Sequence, residues 1–154
     1  MLKKKNNSIA TNRRAGYDYK IGDKFEAGIV LKGSEVKSLR SNRADISHAF
    51  ISNENGEIFL KNSSIPQYLS SGMLNHEVSR SRKLLFKKKE IKKMLGNIKK
   101  KGTTLVPLKI YFASKGFAKL LIAIGEGKRK YDKRQIKKEK EWKRQKKLIY
   151  FLKL

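Results

Sequence analysis

The residues with the clearest capacity for chemistry crowd the C-terminal end of this 154-residue chain. From Lys128 to Lys147, twelve lysines and arginines face only Asp132, Glu139 and Glu141, a local charge of +9 with little apolar surface to bury. Such a run calls for a polyanion, although a charge run alone is often only a solvated face. Lys128, Arg129, Lys133 and Arg134 could each neutralise one phosphate. On a single strand every such contact would steepen the salt dependence of log affinity by roughly 0.7. Two rings, Tyr131 and Trp142, lie among the cations; each could give a base a stacking surface or pack on the protein's own body, and both readings stay open. Asp132, followed by Gln135 at capping-box spacing, predicts a helix from Lys133 through Trp142. Ile136, Trp142 and Leu148 share no stripe, so the body has little with which to hold that helix. The segment is expected to be disordered when free and helical when bound to RNA.

Elsewhere the candidates for catalysis are thin. His48 lies near Asp45 and His76 beside Glu77, but neither forms an acid–base or nucleophile constellation, and both read as turn residues. With no cysteine, thiol nucleophiles, disulfides and Cys-based zinc sites are excluded, and no metal or cofactor is expected. The chain as a whole carries 39 basic and 13 acidic residues, a net +26, which makes nucleic acid the default partner. No stretch approaches the ~20 apolar residues that span a bilayer, and the start lacks a secretion-type apolar stretch, so no membrane role and a cytoplasmic location are expected.

These residues need a scaffold, and the length fits one domain with a tail. Residues 1–14 are polar and basic and read as a flexible N-terminal arm, residues 15–126 as the folded body, and residues 127–154 as the basic tail. Tyr17, Tyr19 and Ile21 alternate with polar residues as a first extended segment. Gly22-Asp23 reads as a turn, and Phe25 to Leu31 as a second extended segment in which Gly28 marks a bulge or a close backbone approach. Ser34 and Glu35 suit the start of a short helix carrying Val36 and Leu39. Asn55-Gly56 between two apolar runs predicts a hairpin. Residues 63–82, rich in Ser, Gly and Asn, read as a long loop. A short strand is expected over Arg82 to Phe86, a helix over Lys88 to Lys99 with Ile91, Leu95 and Ile98 on one face, and a second hairpin over Thr103 to Ile124. Pro107 demands an edge or a bulge. The expected fold is mainly β: a small antiparallel β-barrel of about six strands, like the oligonucleotide-binding fold, with two to three flanking α-helices and the basic tail.

Several blocks resemble one known family in order along the chain. Gly127-Lys-Arg-Lys-Tyr-Asp-Lys-Arg134 is similar to the Gly-Lys-Lys-x-(His or Tyr)-Asp-Lys-Arg signature of the SsrA-binding protein family, the small protein B of bacterial trans-translation. Phe25 to Arg40, Arg82-Lys-Leu-Leu85 and Thr104 to Phe112 resemble that family's other blocks. The resemblance runs from about Asn12 to Arg134. It implies an adaptor, not a catalyst, whose body binds the tRNA-like domain of transfer-messenger RNA (tmRNA) while the tail enters the vacant messenger channel of a stalled ribosome. The partners it implies are tmRNA, small-subunit rRNA and elongation factor Tu with GTP and alanyl-tmRNA, with the protein itself a monomer. A structural ribosomal protein, or a general RNA-binding module, is the alternative.

By that resemblance Asn12, Glu26 and Leu85 fall at RNA-recognition positions, joined by the cations Arg13, Lys83 and Lys87. Glu26 could accept hydrogen bonds from a base or ribose, or pair with a neighbouring cation. Leu85 could meet RNA or lie in the core. The tail set is Gly127, Lys128, Arg129, Tyr131, Asp132, Lys133, Arg134 and Trp142. The chain departs from the family where many members have Ala-Arg-His-Asp-Tyr in place of Ala15-Gly-Tyr-Asp-Tyr19. It departs again at Lys87, at Glu126 and in the apolar end from Leu148 to Leu154.

Overall fold

The computed structural model describes residues 8–41 and 43–152. Seven antiparallel strands form one sheet, and four helices accompany it. In chain order they are β1 (Ser8–Thr11), α1 (Ala15–Asp18), β2 (Tyr19–Ile29), α2 (Gly33–Arg40), β3 (Phe50–Glu54), β4 (Glu57–Lys61), β5 (Arg82–Leu85), α3 (Lys88–Ile98), β6 (Thr103–Phe112), β7 (Ala118–Gly127) and α4 (Lys130–Leu152). The strand order is β1-β6-β7-β2-β5-β4-β3. The mainly-β expectation holds, with α1 and α3 against the sheet, α2 tied to the long loop and to Arg82 of β5, and α4 in the tail. Closure does not: the sheet curls enough to bring β3 near β6, yet no ladder joins them.

Both hairpins form where the sequence places them. Asn55 and Gly56 have φ of 50° and 83°, the paired positive values that a two-residue turn needs to match strand twist. The β6–β7 hairpin turns over residues 113–117, with the Ala113 N–H donating to the Phe117 carbonyl at 2.9 Å. Pro107 sits beside a one-residue register shift in β6, so the missing N–H falls at a bulge.

Three expectations near the N-terminus are corrected. Tyr17 lies in the short helix α1, not in a strand. Gly22-Asp23 makes no turn; β2 runs through it as one strand, with a register shift between Ile21 and Lys24 that absorbs the extra residue against β7. Ser8–Thr11, assigned to the arm, is a strand on β6, where Ala10 is buried. Short strands carrying one inward apolar residue leave little periodicity to read. Residues 1–7 of the expected arm lie outside the described residues.

The core beneath the sheet gathers Phe25, Ala27, Ile46, Ile58, Leu60, Leu84, Leu105, Ile110, Leu120 and Ile122, closed by Met94 from α3. The long loop 63–82 contains a short 3₁₀ turn (Leu69–Leu74) and a Ser64–Asp45 bridge. It is anchored by buried polar groups. Ser34, expected to cap α2, is inside it, because Lys32 occupies the cap position and Glu35 Oε2 accepts from the Lys32 N–H at 2.7 Å. The Ser34 hydroxyl instead meets His76 Nδ1 at 2.9 Å, while His76 Nε2 lies 2.9 Å from the Ile65 carbonyl. His76 is therefore a buried tether of the loop and not a turn residue on the surface.

Candidate nucleic-acid interface

Strand alternation sorts side chains to two faces. On β5, Arg82 and Leu84 point inward and are buried, so Lys83 and Leu85 point outward. Leu85 is 54% exposed, which corrects the core reading. The run Leu84-Leu85-Phe86 conceals this, because three apolar residues in a row give no alternation.

Register then defines a row across four strands. Tyr111 on β6 faces Lys119 on β7, Lys119 faces Gly28 on β2, and Gly28 faces Leu85 on β5. A second row brings Lys109 opposite Leu121 and Leu121 opposite Glu26. Directly paired residues project from the same face. Gly28 is thus a notch in the outer surface between Lys119 and Leu85. A Cβ there would meet Leu85 Cβ at 3.5 Å, an ordinary contact, and Gly28 has no positive φ. Nothing inside the protein requires glycine at this point. Phe117, 69% exposed, and Val36, Leu31 and Ile29 complete an apolar hollow around the notch.

Glu26 is held at the rim. Tyr111 donates its phenolic hydrogen to Glu26 Oε1, and Lys119 Nζ donates to Oε2 at 3.1 Å. These two bonds, the tyrosine's first, hold the Glu26 carboxyl below its usual value; partial burial and the same contact push the Tyr111 phenol up to about 12. The cation pairing considered for Glu26 is therefore present, and the carboxylate stays ionised and exposed. Lys83 pairs with Glu57 on the neighbouring strand, while Lys87 stands exposed at the start of α3, its N–H donating to Glu90 Oε2 at 3.0 Å.

Asn12 is engaged within the chain. It is nearly buried, with Nδ2 donating to the Pro107 carbonyl at 3.1 Å and Oδ1 accepting from the N–H groups of Arg14 and Ala15 at 3.1 and 3.2 Å. Its amide folds the turn that leaves Arg13 and Arg14 exposed.

The tail begins where the β2–β7 ladder ends, at the Tyr19–Gly127 pair. Helix α4 starts at Lys130, three residues before the expected start, with Asp132 Oδ2 accepting from the Arg129 N–H at 3.3 Å in the first turn. It runs 23 residues with no buried residue. The structure shows the predicted helix, extended beyond Trp142 to Leu152. The physical reason is local: between Lys130 and Leu152 there is no glycine or proline, and Lys, Glu, Arg and Gln are strong helix formers whatever they pack on. Residues 153 and 154 of the expected tail lie outside the described residues. Tyr131 and Trp142 are 68% and 61% exposed, so neither ring packs on the body. Tyr131 accepts from Gln135 Nε2 at 3.0 Å, and Lys146 Nζ stands 5.5 Å from the Trp142 ring centroid. Arg129 and Arg134 are exposed, while Lys128 and Lys133 turn back toward α1.

Lys109, Tyr111, Phe117 and Lys119 were not singled out from sequence. Their signal was the outward half of the β6–β7 alternation, blurred by the bulge beside Pro107. The notched outer face and the root of α4 lie at opposite ends of the β2–β7 ladder, roughly 30 Å apart at about 3.3 Å per residue. Among the described residues no helix is long and apolar enough to cross a membrane, and no cluster of His, Asp or Glu could hold a metal ion.

A curved antiparallel sheet with a cationic, notched outer face and a lysine-rich helix at its far end defines a nucleic-acid-binding protein. The chain belongs to the SmpB protein family, whose model matches residues 9–150. The SsrA-binding protein of Sinorhizobium fredii is 49% identical over 138 residues, covering 90% of this chain and 87% of the relative. That of Agrobacterium fabrum is 50% identical over 141 residues, covering 92% and 88%. A solved structure described as "tmRNA-SmpB: a journey to the center of the bacterial ribosome" matches with a TM-score of 0.66 and 45% identity, over 81% of this chain and 91% of that one.

Proposed function

We propose that this protein is an RNA-binding adaptor of trans-translation: it binds tmRNA through its tRNA-like domain, brings it to stalled ribosomes, and places its C-terminal helix in the vacant messenger channel so that nascent chains are tagged and released. The observation that carries this reading is near-full-length membership of the SmpB family, together with 45% identity to a chain described in a tmRNA–SmpB context with the ribosome. The physical chemistry agrees with it. An A-form stem is read by shape, phosphate and 2′-hydroxyl contacts, and unpaired bases by apolar and aromatic surfaces. The outer face offers both kinds of group. Lys83, Lys87 and Lys119 meet phosphates there, as Arg13 does from the exposed turn before α1, Leu85 and Phe117 flank the Gly28 notch where a base or ribose can come close to the backbone, and ionised Glu26 accepts a ribose or base donor. Asn12 serves by shaping the Arg13 turn.

At the other end, Arg129 and Arg134 meet ribosomal phosphates, Tyr131 and Trp142 stack on bases, Asp132 starts the helix, and Gly127 ends the strand that leads into it. No step in this role breaks a covalent bond, so the protein acts as an adaptor and not as an enzyme. Elongation factor Tu with GTP and alanyl-tmRNA is the delivery partner supported by the family resemblance, and the location is cytoplasmic, where ribosomes translate.

The test replaces Arg129 and Arg134 together by alanine and measures affinity for the tRNA-like domain separately from tagging on truncated messages. Affinity is expected to stay within about twofold, since neither residue lies on the outer face, while a lost pair of phosphate contacts abolishes most tagging. Equal loss of both would overturn the division between sheet and helix.

A further inference from the structure

Helix α4 has no buried residue, yet its root is fastened at several points to α1, and this follows from topology. Because β2 and β7 are antiparallel, the residue before β2 and the residue after β7 emerge side by side. Asp18, the last residue of α1, uses its carbonyl to accept from the Lys128 N–H at 3.0 Å. Its carboxylate accepts from Lys133 Nζ at 2.9 Å through Oδ1, and Oδ2 lies 3.9 Å from Arg14 Nε. Lys128 Nζ donates to the Gly16 carbonyl at 2.8 Å, and Lys133 Nζ also lies 5.8 Å from the centroid of the Tyr17 ring. The contacts involve the Lys128 backbone N–H just before α4 and the Lys133 side chain in its first turn, two points five residues apart, so they constrain its direction as well as its attachment. Asp18 and Lys133 are each about one-third exposed or less, which shields their pair from salt more than a fully solvated pair.

We propose that Asp18, supported by Tyr17, is a positioning residue that sets the angle at which α4 leaves the sheet, with Lys128 and Lys133 acting first as fasteners to α1. The remaining cations of α4 are then presented along a defined direction. The consequence for tagging rests on the function proposed above; the geometric claim does not.

The absence of cysteine makes the test clean. Spin labels on Asn53→Cys in β3 and Gln135→Cys in α4, two residues beyond Lys133, report the distance from the sheet to the helix root in the full chain by pulsed dipolar spectroscopy. A single narrow distribution is expected for the parent, a broad one for Asp18→Lys and for Lys133→Asp, and a narrow one again when both are combined, because the reversed charges pair at the same place. Recovery in the double variant also shows that the singles did not simply misfold. A parent distribution as broad as the single variants, an unchanged width in Asp18→Lys, or no recovery in the double variant would overturn the proposal. In parallel, Asp18→Ala should keep its affinity for the tRNA-like domain and lose roughly tenfold in tagging rate, the scale of cost expected when a contacting group is held in the wrong place. Unchanged tagging would count against a positioning role. Failure of the parent to bind tmRNA would instead sink the function proposed above while leaving the distance result standing.

Discussion

Arg82 donates from Nε to Glu35 Oε1 at 2.9 Å, and both side chains are fully buried. Around that pair, Arg80 donates to Glu35 from Nη2 at 2.6 Å, and Arg82 Nη1 reaches the carbonyl and hydroxyl of Ser63 at 2.8 Å each. One carboxylate thereby ties α2, the long loop and β5 behind the outer face that carries Leu85.

Breaking that pair should be costly. Glu35→Gln leaves a guanidinium buried without its counter-charge, and a loss of about 3–5 kcal/mol in unfolding free energy is expected from denaturant titration. Burial pushes the Glu35 carboxyl up, but the hydrogen bonds from Arg80 and the Lys32 N–H and the charge of Arg82 outweigh it, leaving the group below its usual 4.5. A lowered folded value means that the unfolded chain takes up the proton first as the pH falls. The contribution is therefore whole above pH 4.5 and lost as the pH drops through the lower folded value. The parent should lose stability steeply on that acid limb, and Glu35→Gln should lose less; equal slopes would show that Glu35 is not responsible.

Gly28 offers a test of the outer face that leaves the core alone. Because an added Cβ makes only ordinary contact with Leu85, Gly28→Val should fold with a melting temperature close to the parent's. The isopropyl group fills the notch, however, and affinity for the tRNA-like domain should fall about tenfold or more, as when a close backbone approach is blocked. A variant that folds and binds normally would move the RNA contact elsewhere.

Helix α4 depends on propensity and on its root, so it should be the least protected element of the free chain. Amides from Ile136 onward should exchange with only marginal protection, while those of β2, β6 and β7 approach global protection. Adding tRNA-like-domain RNA alone should leave that contrast in place, and adding ribosomes should remove it. Strong protection in the free chain would mean that the helix packs on something the outer face does not reveal.

Much of this architecture was legible before any coordinates. Asn55-Gly56 announced one hairpin because few residues accept two successive positive φ values, and Pro107 announced its bulge because it lacks a donor. What stayed hidden was whatever depends on pairing. Gly22-Asp23 looks like a turn, and only register with β7 shows it to be an extra residue within a continuous strand. Leu85 could be assigned a face only once Arg82 was seen to be buried, which takes its ion pair with Glu35. Asn12 has the functional groups to bind a nucleotide, but its neighbours Pro107 and Arg14 have already claimed them. The tail's helix was legible in the Asp132–Gln135 spacing, but its full length was not, because its packing face was weighed and its uninterrupted run of helix-forming residues was not.

The β2–β7 ladder also works as a ruler. Its two rims carry surfaces meant for different molecules, and the number of paired residues between them sets how far a captured transcript stands from whatever the helix enters. Lengthening both strands by two residues would keep every side chain on its present face and push the rims apart by roughly 7 Å. An adaptor altered in that way would hold each partner as well as before and yet deliver one at the wrong distance from the other.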